Sequence, residues 1–215
     1  MEVIVWEQNQ EDALEKTTAV IKRGGLVAVS TDTVYGIIGD ATNKDTVKAL
    51  YELKHRPKEK AFPVFVKDIA MARWFAYVSD AKANFLTRVW PGGVSVVLHH
   101  KEKLPKNLTA GNNTIALRVP DHRFLLALLA RLDVPLVQSS ANLSGIPPAV
   151  TAEQVVVAFE KQKQKPSLLI DGGETPGIPS SIIDLTTNNA RLIRGGPMNK
   201  KNFDLLIKEL SEAGL

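Results

Sequence analysis

The order of the short apolar runs constrains this chain more than any other feature. Val94–His99 and Thr114–Val119 read as successive strands with no helix between them, and so do Leu168–Ile170, Ser181–Leu185 and Arg191–Arg194. A purely parallel sheet needs a long crossover, usually a helix, between successive strands. Elsewhere helices do intervene. Strands are expected at Val3–Trp6, Leu26–Ser30, Pro63–Val66 and Pro135–Ser139. Helices are expected over 10–23, 43–54, 68–76, 79–89, 121–132, 151–161 and 199–212. Asn9, Asn43, Ser79 and Asn199 sit where N-caps belong, Thr151 with Gln154 forms a capping-box pattern, and Asp121 starts the very apolar helix. Such a chain predicts an α/β fold: one mixed sheet with flanking helices, in a single domain over residues 1–215.

Composition removes several kinds of chemistry. The 215 residues contain no cysteine, which excludes thiol nucleophiles, disulfides and Cys-ligated zinc or iron–sulfur sites. A chain of this mass buries roughly 70% of its unfolded surface, so it needs no such staples. The longest purely apolar run, Phe124–Ala130, is too short to span a membrane, and MEVIVWEQ is not a signal peptide, so a cytoplasmic protein with no membrane partner is expected. The net charge of +4 suits an anionic ligand or a nucleic acid without requiring either. Gly172-x4-Gly177 is followed by Ile178 rather than lysine, so there is no Walker A motif. His99 and His100 are adjacent in a strand and point to opposite faces, a poor metal pair. Ser79-x-x-Lys82 matches a nucleophile motif, but Ser79 reads better as a helix cap.

Four clusters remain, all at strand ends or in loops. Ser30-Thr-Asp-Thr-Val-Tyr-Gly36 offers three aliphatic hydroxyls and a carboxylate after a buried strand, and a capped turn would look the same. Lys54-His-Arg-Pro-Lys-Glu-Lys60 ends a helix with four cations. They fit either the helix dipole or a polyphosphate. Gln138-Ser-Ser-Ala-Asn-Leu-Ser-Gly145 follows a strand and reads as an Asx-type turn or a nucleotide contact. Asp171-Gly-Gly173, Pro179-Ser-Ser181 and Arg194-Gly-Gly-Pro197 combine close backbone approach with a cation at a strand end.

In this order the clusters resemble the YrdC-type threonylcarbamoyl-AMP synthase family, in its short form without an extra C-terminal domain. Thr31-Asp-Thr-Val-Tyr-Gly36 is similar to that family's T-[ED]-T-V-Y-G, Lys54-x-Arg56-Pro57 to its K-x-R-P and Trp90-Pro-Gly92 to its W-P-G-P-x-T. Arg118-Val-Pro-Asp-His122 is similar to R-x-P-x-H, and Ser140-Ala-Asn142 with Ser144-Gly145 to S-A-N-x-S-G. The resemblance runs from about residue 10 to residue 198 and includes Asp171-Gly-Gly173, Ser180-Ser181 and Arg194-x-Gly196. Gly93, Ser95, Pro179, Ser181 and Gly195 depart from the pattern, with the hydroxyl kept at positions 95 and 181.

The resemblance implies a twisted sheet around a large, positively charged concave site. It implies formation of threonylcarbamoyl-AMP and pyrophosphate from L-threonine, bicarbonate and ATP with Mg2+. The product would pass to a threonylcarbamoyl transferase complex that modifies adenosine 37 of tRNA, with direct tRNA contact an open possibility. Lys54, Arg56, Lys60, Ser140, Asn142, Pro148 and Arg194 would bind ATP; Thr33, Arg118, the Gln138 backbone and Ser180 would bind threonine. No covalent nucleophile and no protein metal ligand are implied. On this reading Arg118→Lys tests the guanidinium fork and leaves thermal stability nearly unchanged. The alternatives are a non-catalytic RNA-binding module and a carbamoyl-adenylate synthase with another acceptor amine.

Overall fold

The structure is a computed structural model and describes residues 1–187 and 189–212. Among these described residues ten strands form one mixed sheet. In chain order they are β1 (Glu2–Val5), β2 (Val27–Val29), β3 (Gly36–Asp40), β4 (Val64–Phe65), β5 (Val94–His99), β6 (Thr114–Arg118), β7 (Leu136–Ser140), β8 (Leu168–Asp171), β9 (Ser181–Asp184) and β10 (Arg191–Arg194). Among the described residues seven α-helices flank it: α1 (Gln10–Lys22), α2 (Lys44–Lys54), α3 (Ile69–Phe75), α4 (Asp80–Val89), α5 (Arg123–Leu132), α6 (Ala152–Phe159) and α7 (Lys200–Glu212), with one short 3-10 turn at Trp6–Gln8. The spatial order is β1-β8-β2-β3-β7-β4-β6-β5-β9-β10. The runs without an intervening helix do supply antiparallel pairs, β5 with β6 and β9 with β10. Among the described residues no helix is long and apolar enough to cross a membrane.

The expected elements are present, with instructive differences. β3 was not foreseen. Its sequence, Gly-Ile-Ile-Gly-Asp, carries two glycines that weaken a strand signal. Gly39 is there because α2 packs closely: a Cβ would lie 2.4 Å from Thr46 Cγ2. Asn43, Ser79, Thr151 and Asn199 accept from backbone N–H groups as caps. Asn9 holds the N-cap position but its side chain makes no capping bond. The N-cap of α5 is His122, one residue after the expected Asp121. The expected capping box closes differently, since Gln154 Oε1 accepts from Val150 N rather than from the cap residue.

Two apolar layers sandwich the sheet unequally. One face joins Ala28, Ile37, Val64, Val96, Leu117 and Ile183 to residues of α2, α3, α4, α6 and α7. On the other, Ile4, Val27, Val29, Ile38, Phe65, Leu136 and Ile170 pack against α1 and α5, where Trp6 meets Phe124 edge-on at 4.9 Å. That second layer ends at β4. Registers Phe65↔Arg118, Val97↔Ala116 and Ser95↔Ile182 carry the same face onward through β6, β5 and β9. There it bears Thr114, Ala116, Arg118, Ser95 and Ile182, and these residues are not part of the helix-covered layer.

Candidate active site

Where the helical cover stops, a cavity of about 400 Å³ opens on the sheet. Its floor is Ser95 and Val97 of β5, Thr114, Ala116 and Arg118 of β6, Gln138 and Ser140 of β7, and Ile182 of β9. On β5 and β6 every second residue appears, because alternate side chains of a strand share a face, while at the end of β7 Ser139 joins Gln138 and Ser140 in the lining. Thr33, Arg56, Phe62, Pro148, Pro179, Ser180 and Arg194 wall it. Among the described residues three arginines thus line the cavity, and no Asp or Glu does.

Arg118 is the most constrained of them. Its side chain is only 2% exposed. Nε donates to Gly92 O at 2.8 Å, a terminal nitrogen donates to Thr33 Oγ1 at 3.2 Å, and the other pairs with Asp32. The remaining oxygen of Asp32 accepts from the Asp121 N–H at 3.2 Å, so the carboxylate ties the start of α5 to the site. Burial pulls the Arg118 pKa below the usual arginine value and Asp32 opposes that pull. A guanidinium starts so far above neutrality that it stays charged.

The threonine-rich turn is held from both sides. Thr31 Oγ1 accepts from Thr33 N at 3.0 Å and donates to Val34 O at 2.7 Å, a local turn of the hydroxyl type. The buried Tyr35 hydroxyl lies 2.8 Å from both Asp171 Oδ1 and Gly173 O, and Gly177 N donates to Thr33 O at 2.8 Å. Burial, then the Asp171 hydrogen bond, pushes the Tyr35 pKa up, so it remains a neutral latch between the first and fourth sequence clusters. Gly93 lets a third loop close in: a Cβ there would lie 2.7 Å from Pro197 Cγ and 3.3 Å from Thr33 Cγ2.

Eight of the residues singled out in the sequence meet here: Thr33, Arg56, Arg118, Gln138, Ser140, Pro148, Ser180 and Arg194. Arg56 donates to Lys60 O and Ala61 O and lies 4.8 Å over the Phe62 ring, which fixes it at the cavity wall. Arg194 folds from the edge strand onto Ser180 O, with bonds of 3.0 and 2.6 Å. The Gln138 N–H is engaged by Pro63 O at 3.0 Å, and a proline has no N–H to return to the Gln138 carbonyl, so the groups Gln138 can offer a ligand are its carbonyl and its side chain.

Lys54, Lys60 and Asn142 do not line the cavity. Lys54 is 2% exposed and points inward. Its ammonium donates to Ser140 O, Asn142 O and Asn142 Oδ1. The cause is helical spacing, because Lys54 continues the buried Val47, Leu50, Tyr51 stripe of α2. Burial, with Arg56 nearby, pulls its pKa down to about 7. Asn142 is likewise inside the turn: Oδ1 accepts from Ser140 Oγ at 2.6 Å and Nδ2 donates to Ile146 O. The Lys60 side chain is exposed, and it is its carbonyl that contributes, accepting from Arg56 Nε at 2.9 Å and Tyr51 Oη at 3.0 Å.

Sequence reasoning did not assign Asp32, Ser95 or Thr114 to the site. For Thr114 the signal was present, two residues before Ala116 and four before Arg118 on one strand face. Asp32 is the carboxylate of the first cluster, beside the assigned Thr33, yet its partner is distant in sequence. Ser95 stands on a strand whose other residues are apolar or belong to the histidine pair.

Comparison with known proteins identifies the family. Residues 19–196 match the Sua5/YciO/YrdC family model, described as "Telomere recombination". The chain is 33% identical over 208 residues to threonylcarbamoyl-AMP synthase from Pyrococcus abyssi, covering 96% of this chain and 60% of that one. It is 35% identical over 182 residues to the enzyme of that name from Hydrogenovibrio crunogenus, covering 81% and 94%. A crystal structure of P. abyssi Sua5 complexed with L-threonine superposes with a TM-score of 0.86 at 32% identity, over 92% of this chain and 58% of that one. The chain therefore spans less than two thirds of some of the relatives it matches. The motifs at Thr31–Gly36, Arg118 and Ser140–Gly145, the sheet that brings them together and the match over residues 19–196 place this chain in the Sua5/YciO/YrdC family.

Proposed function

We propose that this protein is an L-threonylcarbamoyladenylate synthase. It joins L-threonine, bicarbonate and ATP into threonylcarbamoyl-AMP with release of pyrophosphate, for transfer to tRNA by a threonylcarbamoyl transferase. The observation that carries the reading is a single cavity in which a buried, geometrically fixed Arg118 and two further arginines converge with hydroxyl groups. In the reaction, the threonine amine and bicarbonate give a carbamate and water. A carbamate oxygen then attacks the α-phosphorus, and the bond to the β,γ-diphosphate breaks. No protein nucleophile is needed; positioning and charge neutralisation supply the rate.

The residues divide by place. Arg118 presents fixed N–H groups to the threonine carboxylate, a geometry that favours planar anions. Thr33, Gln138 and Ser180 surround that end. Arg56, Ser140, Pro148 and Arg194 take the nucleotide side, where the two guanidinium groups meet phosphate charge. Lys54 and Asn142 act on the nucleotide through the Ser140–Ile146 turn that they brace. Among the described residues no carboxylate lines the cavity, so magnesium would enter with the nucleotide and would be held by its phosphates and water.

Calorimetry with each ligand tests this division. Arg56→Ala is expected to weaken ATP binding about 10–150-fold, the loss of one charge-assisted bond, and to leave threonine binding within about twofold. Arg118→Lys is expected to do the reverse. Loss of ATP binding alone in Arg118→Lys would move that residue to the nucleotide side. Unchanged ATP affinity in folded Arg56→Ala would remove Arg56 from it.

A further inference from the structure

We propose that Ser95 is a specificity-determining residue: with Ser180 it forms the hydroxyl pair that reads the side-chain hydroxyl of the amino acid. The inference rests on the reading of this cavity as an amino-acid site anchored by Arg118. Ser95 is 2% exposed, lines the cavity and lies on the same sheet face as Arg118. Its Oγ is 3.1 Å from Ser180 Oγ, which is also buried and lines the cavity.

Counting protons distinguishes this pair from the other hydroxyl nearby. Thr31 Oγ1 gives its one proton to Val34 O, so in the 2.9 Å contact between Thr31 and Thr33 the donor is Thr33. Thr33 Oγ1 then accepts from Arg118. It has no proton left for a ligand. Ser95 and Ser180 together hold two protons and four lone pairs, and their mutual bond uses one of each. The 3.4 Å approach of Arg194 takes at most one further lone pair on Ser180. The pair therefore keeps a proton to donate and lone pairs to accept with, which is what an incoming hydroxyl requires. An analogue without that hydroxyl leaves buried polar groups unpaired, and such sites reject it strongly. A carboxylate anchor and a hydroxyl reader on adjacent strands of one floor define a 2-amino-3-hydroxy acid.

The test compares kcat/KM for pyrophosphate release with threonine and with 2-aminobutyrate, which lacks only the hydroxyl. Wild type is expected to favour threonine, and Ser95→Ala to lower the threonine to 2-aminobutyrate ratio about tenfold or more. Ser95→Thr, which retains a hydroxyl, is expected to keep the preference. Arg118→Lys is expected to depress both substrates alike and leave the ratio intact. An unchanged ratio in a folded, active Ser95→Ala enzyme overturns the role of Ser95 while the amino-acid reading stands. If neither amino acid supports pyrophosphate release by wild type, that reading fails and the proposal fails with it.

Discussion

Arg118→Ala is expected to lower the stability of the protein by about 3–5 kcal/mol, because it strands a nearly buried carboxylate. Asp32 is 14% exposed and faces a guanidinium that is 2% exposed. Removing the guanidinium leaves this carboxylate with no counter-ion and little water. At roughly 2–4 °C per kcal/mol for a chain of this size, the melting temperature falls by roughly 10 °C. Gly92 O and Thr33 Oγ1 lose their donors as well. Adding Asp32→Asn to Arg118→Ala is expected to recover part of the loss, since the stranded charge is gone while an oxygen remains for the Asp121 N–H. Urea unfolding of the two single variants and the double variant checks this; a loss below about 1 kcal/mol in Arg118→Ala contradicts it. The expectation from sequence that Arg118→Lys spares stability is revised for the same reason. An ammonium keeps the charge but offers one nitrogen where the structure uses three.

Lys54→Met is expected to cost about 2–4 kcal/mol, from the unsatisfied acceptors it leaves on Ser140 and Asn142 less the relief of a buried ammonium. The loss is predicted to appear in ATP affinity too, because the Ser140–Ile146 turn loses its brace. The two effects carry a pH signature. The folded pKa of about 7 lies below the ordinary value of 10.5. The unfolded chain therefore binds more protons than the folded one between about pH 7 and 10.5, and this group makes stability rise with pH across that window. Below about pH 7 its penalty is fully present. Unfolding free energies measured from pH 6 to 10 are expected to show this rise in wild type and to lose it in Lys54→Met. Equal pH slopes in the two proteins remove Lys54 as the cause.

Lys54 also shows how far the sequence could be read. Its company of cations at a helix end pointed to phosphate, while its spacing from Val47, Leu50 and Tyr51 pointed to the core. The spacing prevailed because three oxygen acceptors lay within reach of the buried ammonium. On β6 the same kind of spacing was informative. Alternation of Thr114, Ala116 and Arg118 placed Arg118 away from Ile115 and Leu117, and the cavity lies on that face. β3 stayed hidden because glycine has no side chain to declare a face, and the reason for Gly39, the approach of α2, exists only in three dimensions. Asp32 and Ser95 were visible as a carboxylate and a retained hydroxyl, but what they bind was not, for a related reason: their partners, Arg118 and Ser180, lie 86 and 85 residues away. Local pattern identified the elements, and sheet order assembled the site.

The most direct test of the central claim is pyrophosphate release by the purified protein supplied with ATP, L-threonine and bicarbonate. Release is expected to require all three together and to match the threonylcarbamoyl-AMP formed mole for mole. Pyrophosphate released at the same rate without threonine or without bicarbonate, or no release with all three present, would contradict the account.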